Sequence, residues 1–178
     1  LVLKGALGTI GAPLIDFGLD GVVWDASTLA QAVIAAQSSD GPDLIRGSDG
    51  DDTIAGGFGD DEIEGGRGDD TYIFARFGGQ DVIDDERGDD RLEILGFTPE
   101  EVRVERLSTE RDDLLLTFFE SDDALIIRNA AIETVAFTDG TRWTRDFLLD
   151  FVNGTGTDGD DRLAGTAGDE TYFPGFGS

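Results

Sequence analysis

Residues 47–73 read GSDGDDTIA, GGFGDDEIE and GGRGDDTYI, three consecutive blocks of nine. The sixth residue of each block is aspartate: Asp52, Asp61 and Asp70. Asp43 fills the same place before them, and Asp81 and Asp90 after them. Two residues ahead of each stands a glycine (Gly41, Gly50, Gly59, Gly68, Gly79, Gly88). Two residues behind stands an apolar side chain (Ile45, Ile54, Ile63, Tyr72, Ile83, Leu92). A period of nine fits neither the turn of an amphipathic helix, about 3.6 residues, nor the alternation of a hairpin meander. It fits a six-residue turn followed by a three-residue strand, stacked on itself.

Working outward, four nonapeptides run unbroken over 38–46, 47–55, 56–64 and 65–73. Phe74 and Ala75 interrupt, and units 76–84 and 85–93 follow. A second array begins at Gly156 with GTDGDDRLA and GTAGDETYF, where Glu170 stands in the aspartate position. The chain also repeats itself at long range. Phe17, Asp20-Gly21 and Trp24 correspond to Phe137, Asp139-Gly140 and Trp143, and Asp43 to Asp161, an offset of 118. Thr71-Tyr72 corresponds to Thr171-Tyr172 at an offset of only 100, short by 18, or two nonapeptides. Loss in that unit keeps the stacking phase if two nonapeptides make one coil. The second array is therefore short by one coil, and is not expected to complete a site by itself.

The 178 residues hold 13 basic and 39 acidic side chains, a net charge of −26. Such a surface repels nucleic acid and anionic membranes and attracts cations. Histidine and cysteine are absent. That excludes disulfides, thiolate and imidazole metal ligands and the Ser-His-Asp triad. The abundant donors are hard oxygens, which suit Ca²⁺. No apolar run is long enough to span a membrane. A start at Leu1, inside an apparent strand to Lys4, reads as a piece of a longer protein.

Between the arrays, Thr98-Pro99-Glu100-Glu101 has the form of a capping box with proline at the first helical position. Residues 102–107, 113–118, 124–128 and 134–137 read as strands, the last turning at Asp139-Gly140. Phe147, Leu148, Phe151 and Val152 make one face of a short helix; Leu29, Val33 and Ala36 do the same within 25–37. These pieces are expected to plug and cap the open ends of the stack. Four segments result: 1–37, the end of a preceding unit; 38–93, the roll; 94–152, the inter-array segment; and 153–178, the start of a second array.

The nonapeptides resemble the repeats-in-toxin family, GGxGxDxUx with U apolar, a pattern associated with calcium-binding parallel β-helices. The inter-array segment is similar to haemolysin-type calcium-binding-related segments in its FxDGxxW and TYxF features. The resemblance implies an all-β fold: a right-handed parallel β-roll with flanking antiparallel strands and short capping helices. It also implies a ligand set in which one coil gives the carbonyls of positions two and four with its aspartate, and the next coil those of positions one and three with its own. Four calcium sites then follow. The first joins Ser39, Gly41 and Asp43 to Gly56, Phe58 and Asp61. The second joins Ser48, Gly50 and Asp52 to Gly65, Arg67 and Asp70. The third joins Gly57, Gly59 and Asp61 to Arg76, Gly78 and Asp81. The fourth joins Gly66, Gly68 and Asp70 to Asp85, Arg87 and Asp90. The last two span the Phe74-Ala75 insertion, so three to four Ca²⁺ ions are expected.

An EF-hand does not fit, since Asp60 stands where its loop needs glutamate. Asp112-Asp113 and Asp122-Asp123 read as charged turns rather than a glycosidase pair. Trp24 and Trp143 read as core anchors rather than sugar platforms. The expectation is therefore a non-enzymatic, calcium-binding spacer or adhesion module of a secreted, extracellular or surface-bound bacterial protein, exported by type I secretion. Its partners are calcium and neighbouring repeat units, with extracellular polysaccharide as a further candidate. Two alternatives are a carbohydrate-binding accessory module and the non-catalytic part of a secreted toxin or hydrolase.

Overall fold

A computed structural model describes residues 15–16, 23–107 and 111–154. The expected strand at Leu1 to Lys4 and the second array from residue 155 onward lie outside the described residues. Strands β1 (Ile15–Asp16) and β2 (Val23–Trp24) form a small antiparallel pair. Helix α1 (Ala26–Ala35) follows, started by the Asp25 carboxylate, which accepts the Thr28 N–H at 2.7 Å. Such an N-cap satisfies one of the otherwise orphaned donors of the first turn.

Each nonapeptide then supplies one strand: β3 (Leu44–Arg46), β4 (Thr53–Ala55), β5 (Glu62–Glu64), β6 (Thr71–Ala75), β7 (Gln80–Asp84) and β8 (Arg91–Leu95). They pair in parallel with the second strand along, not the next: β3 with β5 and β4 with β6, an offset of 18 residues. Odd units build one sheet and even units the other, so two nonapeptides do make one coil. Ile45, Ile54, Ile63, Tyr72, Ile83 and Leu92 all point inward and are buried. Residues Phe74 and Ala75 do not break the stack. They lengthen β6 to five residues, and the offset becomes 20 for β5 with β7 and β6 with β8.

The inter-array segment does more than cap. Its strands are β9 (Val102–Arg106), β10 (Leu114–Phe118), β11 (Ala124–Ile127), β12 (Thr134–Phe137) and β13 (Arg142–Thr144). β11 joins β7 in parallel and β12 joins β8 in parallel, so they form one further coil that carries no nonapeptide. β10 and β9 extend the first sheet antiparallel, and β13 extends the second. The capping box at Thr98–Glu101 forms as expected around a short 3-10 turn, and α2 (Arg145–Gly154) buries Leu148. Phe74 stacks on Phe118 with centroids 5.0 Å apart, and Phe97 lies 4.2 Å from Phe118. The insertion thus supplies the side chain that ties the roll to the segment after it.

At the other end, two glutamine amides cover the strand edges. Gln37 donates to the Arg46 carbonyl and accepts the Arg46 N–H, both at 3.0 Å. Gln31 donates to Asp52 Oδ1 at 2.7 Å and accepts the Thr53 N–H at 3.3 Å. Open strand edges are templates for unwanted pairing, and these amides occupy them. The expected helix face is corrected here: Ile34 is the buried residue of α1, Leu29 is half-buried, and Val33 and Ala36 are exposed. A roll whose core is about one side chain wide offers α1 only a narrow apolar strip.

Candidate metal centre

The turns stack as closely as the strands. Gly57, Gly59, Gly66, Gly68 and Gly79 all take positive φ, between 102° and 123°, a region favourable only to glycine. A methyl group on Gly59 would sit 2.6 Å from the Gly41 carbonyl carbon, and one on Gly68 would sit 2.6 Å from that of Gly50. Residue type at these two positions is dictated by the coil beneath.

The paired aspartates of each GDD build two ladders. The sixth-position carboxylates reach down. Asp61 Oδ1 accepts the Asp43 N–H at 2.9 Å, and Asp70 Oδ1 accepts that of Asp52 at 2.8 Å. Across the insertion, Asp81 Oδ1 accepts from Asp61 at 3.0 Å and Asp90 Oδ1 from Asp70 at 2.8 Å. The fifth-position carboxylates reach up: Asp51 accepts from Asp69 at 2.9 Å, Asp60 from Gln80 at 2.9 Å and Asp69 from Asp89 at 3.0 Å. All four expected pairs of turns are therefore adjacent, including the two that span Phe74-Ala75.

What differs between coils is the second oxygen of the sixth-position carboxylate. Asp43 Oδ2 accepts the N–H and hydroxyl of Ser39, and Asp52 Oδ2 those of Ser48. In the next coil glycine replaces serine, at Gly57 and Gly66. There Asp61 Oδ2 and Asp70 Oδ2 are buried without any hydrogen-bond partner. A buried carboxylate oxygen in that condition costs heavily unless a cation meets it. Several expected carbonyl donors already bond across coils: Ser48 accepts the Arg67 N–H at 3.4 Å, Gly78 that of Gly59 at 2.9 Å, and Gly56 the Ser38 hydroxyl. Gly65 and Gly50 lie in the same stacked turns. The Phe58 side chain is exposed and that of Arg76 runs outward to the Gly96 carbonyl and Glu101.

Electrostatics agree with the geometry. Burial pushes the Asp61 carboxyl above its ordinary value. Burial, with Asp85 and Asp52 nearby, lifts Asp70 to about 6. Asp81 rises to about 7 through burial and its neighbours Asp61 and Asp60. Asp90 rises to about 7 through burial and its neighbours Asp85, Asp70 and Glu133. Oxygen donors alone, several of them carbonyls, with orphaned carboxylate oxygens in a tight glycine cradle, fit a hard divalent cation of calcium's type.

Three further contributions complete the stacked turns. Asp123, expected as a charged turn residue, is instead 6% exposed and accepts the Phe77 and Gly79 N–H groups at 2.9 and 3.1 Å, clamping the loop after the insertion. Glu133 sits in β12's register beside Asp90 and accepts the Asp90 N–H at 2.8 Å, taking the place of the next coil's aspartate. The first aspartate of each GDD, now seen as a clamp, recurs in the motif and was legible there. Trp143 lies in the core as expected, edge-on to Phe137 at 4.6 Å.

Fold and site together define a two-sheet roll whose acidic turns stack into cation cradles. Residues 38–72 and 154–178 match the family model of the RTX calcium-binding nonapeptide repeat, in four copies. Over these two stretches the chain is thus similar to RTX calcium-binding repeats. Units 76–84 and 85–93 lie beyond that match, and their place in the roll rests on strand register. No curated protein matches the chain. A similar solved structure is the solution structure of the AlgE6R3 subunit from the Azotobacter vinelandii mannuronan C5-epimerase. It is 20% identical, with 76% of this chain and 94% of that one covered and a TM-score of 0.34. No helix among the described residues is long and apolar enough to cross a membrane.

Proposed function

We propose that residues 38–93 form a calcium-dependent roll that works as a non-catalytic structural or adhesion module of a secreted protein. Four cations sit between the turn pairs 39–43 with 56–61, 48–52 with 65–70, 57–61 with 76–81, and 66–70 with 85–90. The observation that carries this reading is the pair of buried, partnerless oxygens Asp61 Oδ2 and Asp70 Oδ2, each inside a column of stacked carboxylates.

The charge explains the dependence. Residues 38–93 hold 18 acidic and 5 basic side chains, a net −13, around a narrow core to which β3, β4, β5 and β7 each give one buried apolar side chain and β6 and β8 two. Without cations, repulsion between stacked carboxylates opposes the fold. With cations, binding free energy becomes folding free energy. Such a chain stays open where calcium is scarce and closes where it is plentiful, which suits export as an unfolded chain through a type I channel and folding outside the cell. The segment 94–152 carries a conventional apolar core and serves as the platform on which the coils stack; 1–37 and 153–178 belong to neighbouring repeat units.

Circular dichroism at neutral pH tests the reading. Strand signal should rise when millimolar Ca²⁺ replaces chelator. Mg²⁺ should substitute poorly, because it demands a smaller octahedral shell and holds its waters. Equal spectra in chelator and Ca²⁺ would refute it.

A further inference from the structure

The last turn of the roll departs from the others at its first position. Gly47 and Gly65 occupy that position in the two coils below, and Asp85 replaces them in the third. Its carboxylate does not point to solvent. Asp85 is 8% exposed, its Oδ1 accepts the Arg87 N–H at 2.9 Å, and its Oδ2 accepts the Tyr72 hydroxyl. One oxygen each from Asp70, Asp85 and Asp90 lie within 4.8 Å of one another. Asp70 Oδ2, in a residue 1% exposed, is without a partner, and it and Asp85 Oδ2 both lie against Gly65.

We propose that the turns 66–70 and 85–90 hold their cation with three carboxylates rather than two, the side chain of Asp85 supplying an oxygen where the lower coils have only glycine. This rests on the reading of the roll as calcium-binding and assigns a role that the repeat pattern does not give to its first position. Three consequences follow from the chemistry. Calcium affinity rises with the number of charged ligands. This site is therefore the tightest of the four and the first to fill. Trivalent lanthanides, with the same preference for oxygen and one more charge, gain still more from the third carboxylate. The site also adjoins the coil of β11 and β12, so filling begins against the platform and proceeds toward α1. Tyr72, whose hydroxyl touches Asp85, lies close enough to sensitise a bound Tb³⁺.

The test uses the whole chain and reads this site separately from the rest. Tb³⁺ emission excited through tyrosine is measured for the native chain and for Tyr72→Phe, and the difference reports this cradle. Far-ultraviolet circular dichroism along the same Tb³⁺ titration, and along a separate Ca²⁺ titration, reports the whole roll. Asp85→Gly restores the residue of the lower coils, and Asp85→Asn keeps the volume while removing the charge. The expected result is that the native difference signal saturates before the dichroism transition is complete. In both Asp85 variants its midpoint should move to about tenfold higher Tb³⁺, in line with the loss of one charged ligand, while the Ca²⁺-driven dichroism change persists. A midpoint that is unchanged or lower in both variants overturns the proposal and leaves the calcium roll standing. Absence of any Ca²⁺-driven dichroism change in the native chain overturns the underlying reading, and this inference with it.

Discussion

Gly50 and Gly68 hold the same position in successive coils, yet a methyl group meets them differently. On Gly68, at φ 117°, it runs into the Gly50 backbone; on Gly50 the nearest atom is Ser48 Oγ at 3.9 Å, because no coil lies beneath. Gly68→Ala should cost about 1–3 kcal/mol in backbone strain alone, and more from the overlap. Its calcium midpoint for folding should rise clearly, while Gly50→Ala stays near native; parallel dichroism titrations decide. The same asymmetry separates the aspartates. Asp61 is placed to serve cations above and below, whereas Asp43 has one neighbour and spends its second oxygen on Ser39. Asp61→Ala should lower the calcium stoichiometry by up to two and Asp43→Ala by at most one. Titration calorimetry giving the reverse order would contradict the stacking register.

At the scale of elements, the joint between roll and platform is aromatic. Phe118, 4% exposed, stacks between Phe74 from the insertion and Phe97 from the turn before β9. Truncating a buried phenylalanine costs about 3–5 kcal/mol. Phe118→Ala should therefore lower the denaturant midpoint even in saturating Ca²⁺, where a change at a cation site would be masked by mass action. The period of nine made the six roll strands and one inward residue of each legible, because each unit repeats the same local instruction; Phe74 and Ile94, buried by the lengthened β6 and β8, lie outside that instruction. The hairpin at Asp139-Gly140, the capping box at Thr98 and the strand positions between 102 and 137 were legible from turn chemistry. Their partners were not. Nothing local in Ala124–Ile127 or Thr134–Phe137 says that they continue the roll in parallel, since that depends on which edge lies open when they arrive. Asp123, Glu133, Gln31 and Gln37 escaped for the same reason: each acts on backbone groups between 9 and 46 residues away.

For the whole molecule, a net charge of −26 makes proton and cation rivals for one set of oxygens. Asp70, Asp81 and Asp90 titrate near 3.8 when unperturbed but at about 6, 7 and 7 in the fold, with burial the leading cause. Between those values the folded chain holds protons that the unfolded chain has released. By linkage, this contribution to stability is fully present below the unfolded value and is lost as pH rises through the folded ones. In chelator, lowering the pH from about 8 to about 5 should therefore restore part of the strand signal. With Ca²⁺ the sign reverses, because a cation needs these carboxylates ionised: affinity should climb over the same interval, with proton release on binding. Dichroism at the two pH values, with chelator and with limiting Ca²⁺, checks both arms. A chelator-treated chain that gains strand content as pH rises would mean that these three aspartates are solvated in the cation-free state. The stacked turns would then be a product of calcium binding and not a framework waiting for it.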